Sequence, residues 1–195
     1  MTLTEQPSIP MQGRYTRLVP LSREFTEELF QLAAANRIPW QWHAPETPEA
    51  FQESLWRGVL VQYAVQDVRT GRSVAFVRAD NANLFFGFAY ITMMIHPDCR
   101  MKAWPLEGAL LFGNYLFTKF NLEHLYAETT ESYLQQFASG IGTQFEVEGR
   151  LRNRVVVNGR REDLYILTFT RERWLAEGVP AVERATRRLR EPELV

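Results

Sequence analysis

Arg100 and Lys102 stand inside the stretch HPDCRMKAWPLEGALLF, residues 96–112, which reads as the end of a buried strand, a tight loop and the start of an apolar helix. The first N–H groups of a helix have no partner within it and sit at the positive end of its dipole, so a loop placed here suits an anion such as a phosphate. Such loops ordinarily use glycine to bring bare backbone against the ligand. This one has no glycine between Pro97 and Gly108 and carries Pro105, which removes an N–H outright. Arg100 and Lys102 can replace lost backbone contacts with side-chain ones, or serve simply as solvated loop charges. The preceding strand pattern, AYITMMIHP, holds no Asp or Glu, so its groups able to handle a proton or a hydrogen bond are Tyr90, Thr92 and His96. The lone Cys99 has neither a disulfide partner nor the companion thiolates of a metal site, and no metal is expected.

Positioning these groups requires a scaffold. RYTRLVPLSREFTEELFQLAAA predicts a strand over Tyr15 to Val19, then a helix capped by Ser22, with Phe25, Leu29, Leu32 and Ala33 on its buried face. An irregular aromatic segment with Trp40, Trp42 and His43 leads into a second helix, for which Thr47 is a plausible cap and Pro48 suits the first position. VLVQYAVQDVRTGRSVAFVRA predicts a hairpin turning at Arg69 to Arg72. LFFGFAYITMMIHP predicts one long apolar strand with a bulge or bend at Gly87. A helix from about Pro105 to Phe120 follows, then the strand HLYAETT and the short helix ESYLQQFAS. Two last strands join at Asn158-Gly159, a dipeptide in which both positions tolerate positive φ. The order β-α-α-β-β-β-α-β-α-β-β implies a mixed sheet with helices on its faces, an α+β architecture.

Composition sets outer bounds. The 195 residues suit one domain, and 46% hydrophobic residues supply its core. A net charge of -1 leaves no global field toward nucleic acid or an anionic membrane, although a local patch is compatible with it. Residues 1–12 read as a flexible polar tail, residues 13–178 as a single domain and residues 179–195 as a basic helical tail. Without a signal-peptide pattern or a membrane span, a cytoplasmic location is expected.

The element order and the residues at its joints resemble the GCN5-related N-acetyltransferase (GNAT) family, most closely its branch of ribosomal-protein N-terminal acetyltransferases and their relatives. The likeness runs over residues 13–174 and is most specific where Phe145, Glu148, Gly149, Gly159, Arg160, Asp163, Glu172, Arg173 and Trp174 keep the branch's spacing. Pro97, Arg100, Glu107 and NYLFTKFNLEHLYAET follow its middle pattern. The resemblance implies a twisted mixed sheet of about seven strands whose fourth and fifth, residues 89–96 and 124–130, splay apart. It further implies acyl transfer from acetyl-CoA, or a related acyl-CoA, to an amine. Pantetheine would lie along Met93, Met94 and Ile95, and pyrophosphate against Arg100, Met101, Lys102, Ala103, Trp104 and Leu106. Trp104 also has a plain reading as a cap on the core edge. The acceptor would meet Trp40, Trp42, His43 and Tyr90, unless those tryptophans merely fill a mini-core under their loop.

Departures from the family's pattern leave its catalytic groups open. Ala103 and Pro105 stand where the family's loop has glycine, Tyr133 stands at an asparagine position, and Gly140 stands where many members have a proton-donating tyrosine. Thr92, Glu128 and Tyr133 are the catalytic candidates, each with an ordinary packing or surface role as its alternative. Three functions fit: a coenzyme A-dependent N-acyltransferase acting on a small molecule or peptide N-terminus, an acyltransferase drawing on aminoacyl-tRNA or an acyl carrier protein, and a non-catalytic binding module. Arg184, Arg187, Arg188 and Arg190 would dock the tRNA or carrier protein of the second reading; otherwise they are solvated charges. A homodimer is compatible with all three.

Overall fold

Alternation of apolar side chains builds the sheet and assigns its faces. In the computed structural model, Ala64, Phe76 and Met94 bury on one face while their strand neighbours Val65, Val77 and Ala89 bury on the other, as the two-residue period of a strand dictates. The structure describes residues 9–36, 47–100, 102, 104–134, 141–142, 144–157 and 159–186. Seven strands, β1 (Thr16–Pro20), β2 (Val59–Asp67), β3 (Ser73–Asn83), β4 (Phe88–Ile95), β5 (His124–Thr130), β6 (Glu146–Val157) and β7 (Arg160–Thr170), form one sheet in the order β1-β2-β3-β4-β5-β7-β6. All neighbours are antiparallel except β4 and β5.

Helices α1 (Thr26–Asn36) and α2 (Pro48–Leu55) cover one face, where Leu29, Leu32, Phe51 and Leu55 meet Phe76 and Met94. Helix α3 (Trp104–Lys119) covers the other. Its approach to the sheet is close because Gly108 lies over Val65, where any Cβ would stand 2.3 Å from a methyl carbon. Glu107 buries its carboxylate at the start of α3 and accepts hydrogen bonds from the Tyr15 and Thr16 N–H groups, both at 2.8 Å, which ties β1 to the helix.

After the short α4 (Glu131–Leu134) and the last hairpin, α5 (Arg171–Arg173) continues through a π-helical turn into α6 (Val179–Thr186). Val182 of α6 is buried in the same core as α3, so this part of the C-terminal segment packs on the domain. Arg184 is exposed on α6, whereas Arg187, Arg188 and Arg190 lie outside the described residues. No helix among the described residues is long and apolar enough to cross a membrane.

Two expectations are corrected. Ser22 makes no capping hydrogen bond, because a 3-10 turn at Arg23–Phe25 intervenes before α1; Thr47 does cap α2, accepting from the Ala50 N–H at 3.2 Å. The apolar run LFFGFAYITMMIHP is not one strand. Asn83 Oδ1 accepts from the N–H groups of Phe85 and Phe86, at 3.1 and 3.0 Å, and Gly87 takes a positive φ of 72°, so residues 84–87 turn between β3 and β4. The turn leaves Phe85 90% and Phe86 70% exposed.

Candidate active site between the diverging strands

β4 and β5 pair at Phe88–His124, Ala89–Leu125 and Tyr90–Tyr126, and no further. Beyond that point β4 stays paired with β3 through Ile91 to Ile95, and β5 stays paired with β7 through Ala127 to Thr130. Each strand therefore turns toward the other an edge of N–H and C=O groups that the other strand does not pair, a template for an extended, amide-bearing arm. The gap opens into a cavity of about 1120 Å³. On the α3 side its walls are apolar, with Ile91, Met93 and Ile95 from β4, Ala127 from β5, and Leu106 and Leu110 from α3. Trp174 closes this side from the C-terminal segment, stacked on Phe117 at 5.7 Å.

The start of α3 borders the same cavity. Arg100 lines it, as does the exposed side chain of Leu106. The Lys102 ammonium stands 5.0 Å from the centre of the Trp104 ring, and Trp104 itself is half-buried against the main core. Pro105 is fully buried in the first turn of α3, so this helix presents one N–H fewer than usual. The Glu107 carboxylate faces β1 and is satisfied there.

The opposite face of the gap is polar. Cross-strand registration sets Gln62, Arg78 and Thr92 in one row over β2, β3 and β4, and Asp80, Tyr90 and Tyr126 in the next over β3, β4 and β5. Arg78 Nε stands 2.7 Å from Asp80 Oδ2, an ion-pair distance at which the N–H is not aimed at the carboxylate. Desolvation pushes the Asp80 carboxyl above the usual range, with Arg78 acting against it. Glu128 projects from the same face of β5 and keeps solvent contact through the cavity. Its carboxyl is also raised, first by desolvation and further by the negative charge of Asp80, while Arg154 opposes the shift. Burial likewise raises the Tyr126 hydroxyl.

The structure thus gathers Tyr90, Thr92, Met93, Ile95, Arg100, Leu106, Glu128 and Tyr133 around one cavity. Met94 differs: its side chain is buried beneath α1 and α2, leaving only its backbone for the gap. His96 anchors the strand end, with Nε2 3.0 Å from Glu28 Oε1 on α1. Trp40, Trp42, His43, Met101, Ala103 and Gly140 lie outside the described residues. Arg78 and Asp80 were missing from the expected site. Their i, i+2 spacing after Phe76 is the signal that puts both on one face of β3. Among the described residues no group of three His, Cys, Asp or Glu side chains is arranged to hold a metal ion.

Solved structures share this architecture. A spermidine N-acetyltransferase from Vibrio cholerae, in complex with CoA and spermine, superposes with a TM-score of 0.68 over 83% of this chain and 98% of its own, at 20% identity. The spermidine/spermine N-acetyltransferase SpeG from Vibrio cholerae, in complex with manganese ions, gives 0.69 over 83% and 96%, also at 20% identity. A probable acetyltransferase of the GNAT family from Chromobacterium violaceum gives 0.65 over 87% and 89%, again at 20% identity. No protein-family model matches the chain, and no curated protein matches it by sequence. The fold is the one these acetyltransferases share, a seven-stranded mixed sheet with flanking helices.

Proposed function

We propose that the chain is an N-acyltransferase that moves an acetyl or related acyl group from coenzyme A to a primary amine. The observation that carries this reading is the unpaired β4 edge beyond Tyr90, opening beside the first turn of α3 and Arg100. Pantetheine carries two amides on an extended chain and matches such an edge. The pyrophosphate matches the remaining free N–H groups of α3 together with the Arg100 guanidinium. In the similar spermidine N-acetyltransferase structure the fold accompanies CoA and spermine, which agrees with a thioester donor and an amine acceptor. The spacing from Phe145 to Trp174 further favours the ribosomal-protein N-terminal acetyltransferase-like branch.

The reaction needs little covalent chemistry from the protein. A neutral amine nitrogen attacks the thioester carbonyl carbon, a C–N bond forms, the C–S bond breaks and the thiolate leaves. Holding the two reactants together supplies much of the acceleration. Glu128, with its raised carboxyl, is the group we assign to take the proton of the acceptor, and Asp80 holds the ammonium form beside it. The Tyr133 hydroxyl lines the cavity and is assigned to return a proton to the thiolate. Thr92 orients the acceptor from the β4 side.

Titration calorimetry with acetyl-CoA tests the donor, and mass spectrometry of a primary-amine panel tests the transfer. Micromolar binding and an acylated amine are expected. Absence of binding at millimolar acetyl-CoA would remove the reading and favour a donor other than coenzyme A.

A further inference from the structure

The acceptor face of the gap holds cations as well as anions. Arg78 and Asp80 lie side by side on β3, with side chains only 18% and 19% exposed, and Glu128 faces the same space under the field of Arg154. Arg78 and Asp80, the two members that are largely buried, balance in formal charge, whereas Glu128 and Arg154 are exposed. A desolvated pair of that kind matches a ligand that also balances, because an uncompensated charge is costly to strip of water. An acceptor carrying only cationic amines satisfies Asp80 and Glu128 but brings like charge to Arg78.

A second observation comes from Gln62. It is 7% exposed, and its Nε2 has no hydrogen-bond partner. Gln62, Arg78 and Thr92 border a hollow of about 20 Å³ among Leu21, Leu29, Leu55 and Phe76. That volume accommodates one oxygen atom. Arg78 and Thr92 border both this hollow and the large cavity, so the hollow adjoins the place where the acceptor must sit. The Gln62 amide N–H₂ and the Arg78 guanidinium are both donors; Arg78 gives an Nη2–H to the Arg57 carbonyl at 3.3 Å and stands 2.7 Å from Asp80, and the group complementary to the donors left over is an oxygen with negative charge.

Resting on the proposed amine acylation, we infer that the natural acceptor is a zwitterion of the amino-acid type, whose amine lies between Asp80 and Glu128 and whose carboxylate is read by Arg78 and Gln62. Losing the carboxylate leaves buried donors unmet, and sites built this way reject analogues that lack the bonding group. Gln62 and Arg78 are thus specificity-determining residues, which meet the carboxylate and not the amine whose bond forms.

The test uses the full chain and the common L-amino acids, each paired with its decarboxylated amine, together with spermidine. Binding is followed by calorimetry in the presence of coenzyme A, and turnover by thiol release from acetyl-CoA. At least one amino acid is expected to bind about tenfold or more tightly than its decarboxylated partner. Gln62→Leu, which suits the surrounding leucines, and Arg78→Met should both bring that ratio toward one through a rise in KM, and Arg78→Lys should keep part of it. A preference for spermidine or for the decarboxylated amines throughout overturns the inference, as does a ratio unchanged in Gln62→Leu. Failure to bind acetyl-CoA counts instead against the acylation reading, since amino-acid binding is measured separately.

Discussion

Tyr90 and Tyr126 are the last residues at which β4 and β5 stand side by side, their ring centres 5.5 Å apart. Both project to the polar face of the gap, where Phe88 and His124 pack on Tyr126 at 6.1 and 6.0 Å. This aromatic group closes the blunt end of the gap and so fixes where the parting of the strands begins. Two residues further along each strand, Thr92 and Glu128 stand on the open side and line the cavity. The positions of the tyrosine pair and of Thr92 and Glu128 are thereby set by the same strand register.

Glu128 and Asp80 should reveal themselves in the pH profile. Because the Glu128 carboxyl is raised by desolvation, the acid limb of kcat/KM is expected above the ordinary value of 4.5. Glu128→Gln should lower kcat by about a hundredfold or more and abolish that limb. Asp80→Asn removes a repelling charge, so the limb should move to lower pH. A limb unmoved in Asp80→Asn would show that the two carboxyls do not feel each other. Stability must shift in the matching direction. A carboxyl whose folded value is raised favours folding while protonated, and that contribution is lost as pH climbs past the ordinary value through the raised one. Glu128→Gln should therefore melt higher than the parent at neutral pH and equal it at low pH.

Much of this was legible from spacing, and the parts that were not have physical reasons. HLYAETT and the hairpin between β6 and β7 announce themselves through local signals, the first as a short run that β7 pairs along its whole length and the second as a turn-forming dipeptide between two strand patterns. The missed boundary at residues 84–87 arose because Leu84, Phe85 and Phe86 are apolar yet exposed, so hydropathy pointed to a strand where Asn83 had already capped a turn. Asp80 escaped notice for the converse reason. RADNAN carries turn-forming residues, yet β3 continues to Asn83 because β4 pairs with it, and a side chain that looked like loop polarity becomes part of the cleft. Arg78, Asp80 and Glu128 come from two strands with β4 between them, and no local pattern links them.

The proline at the start of α3 offers a gain-of-function test. Pro105→Ala restores one N–H in the first turn of α3. A hydrogen bond from that group to a charged oxygen contributes about 1.5 to 3 kcal/mol, so acetyl-CoA should bind about ten- to a hundredfold more tightly. Arg100→Ala should weaken binding by a similar factor and flatten its dependence on salt. Calorimetry at two ionic strengths measures both. If neither variant moves the affinity, pyrophosphate does not rest on this turn.

Glu107 illustrates an acid that looks functional and is structural. Its Oε1 accepts from the N–H groups of Tyr15 and Thr16 and from Thr16 Oγ1, at 2.8, 2.8 and 3.1 Å, on a side chain that is buried. Glu107→Ala strands three donors, and a loss of about 3 kcal/mol or more is expected in urea denaturation. Glu107→Gln keeps one acceptor oxygen and should cost less. Equal stability of the alanine variant and the parent would mean that β1 is held by its pairing with β2 alone.

The Gly108–Val65 contact couples packing to the site most directly. Gly108 lies in the second turn of α3, and a Cβ placed on it would stand 2.3 Å from Val65 Cγ1 and 3.0 Å from Cγ2, with the Val65 Cβ at 3.2 Å. Alanine should favour the helix by about 0.8 to 1 kcal/mol on propensity alone. Here, however, the methyl forces apart a helix and strand that are both buried, and overpacking of this kind costs about 1 to 3 kcal/mol. The clash falls near the start of α3, so its relief must tilt the end that carries Leu106 and faces Arg100. Gly108→Ala should accordingly lose both stability and acetyl-CoA affinity. Val65→Ala alone costs about 2 kcal/mol through the void it leaves, but in the double variant the new methyl fills that void and only the milder 3.2 Å approach remains. The double variant should therefore be more stable than the sum of the two single losses predicts, by about 1 kcal/mol or more, and should regain acetyl-CoA affinity. Recovery of stability without recovery of affinity would separate the seating of α3 from the donor site, and additive losses would show that α3 does not rest on Val65 at all.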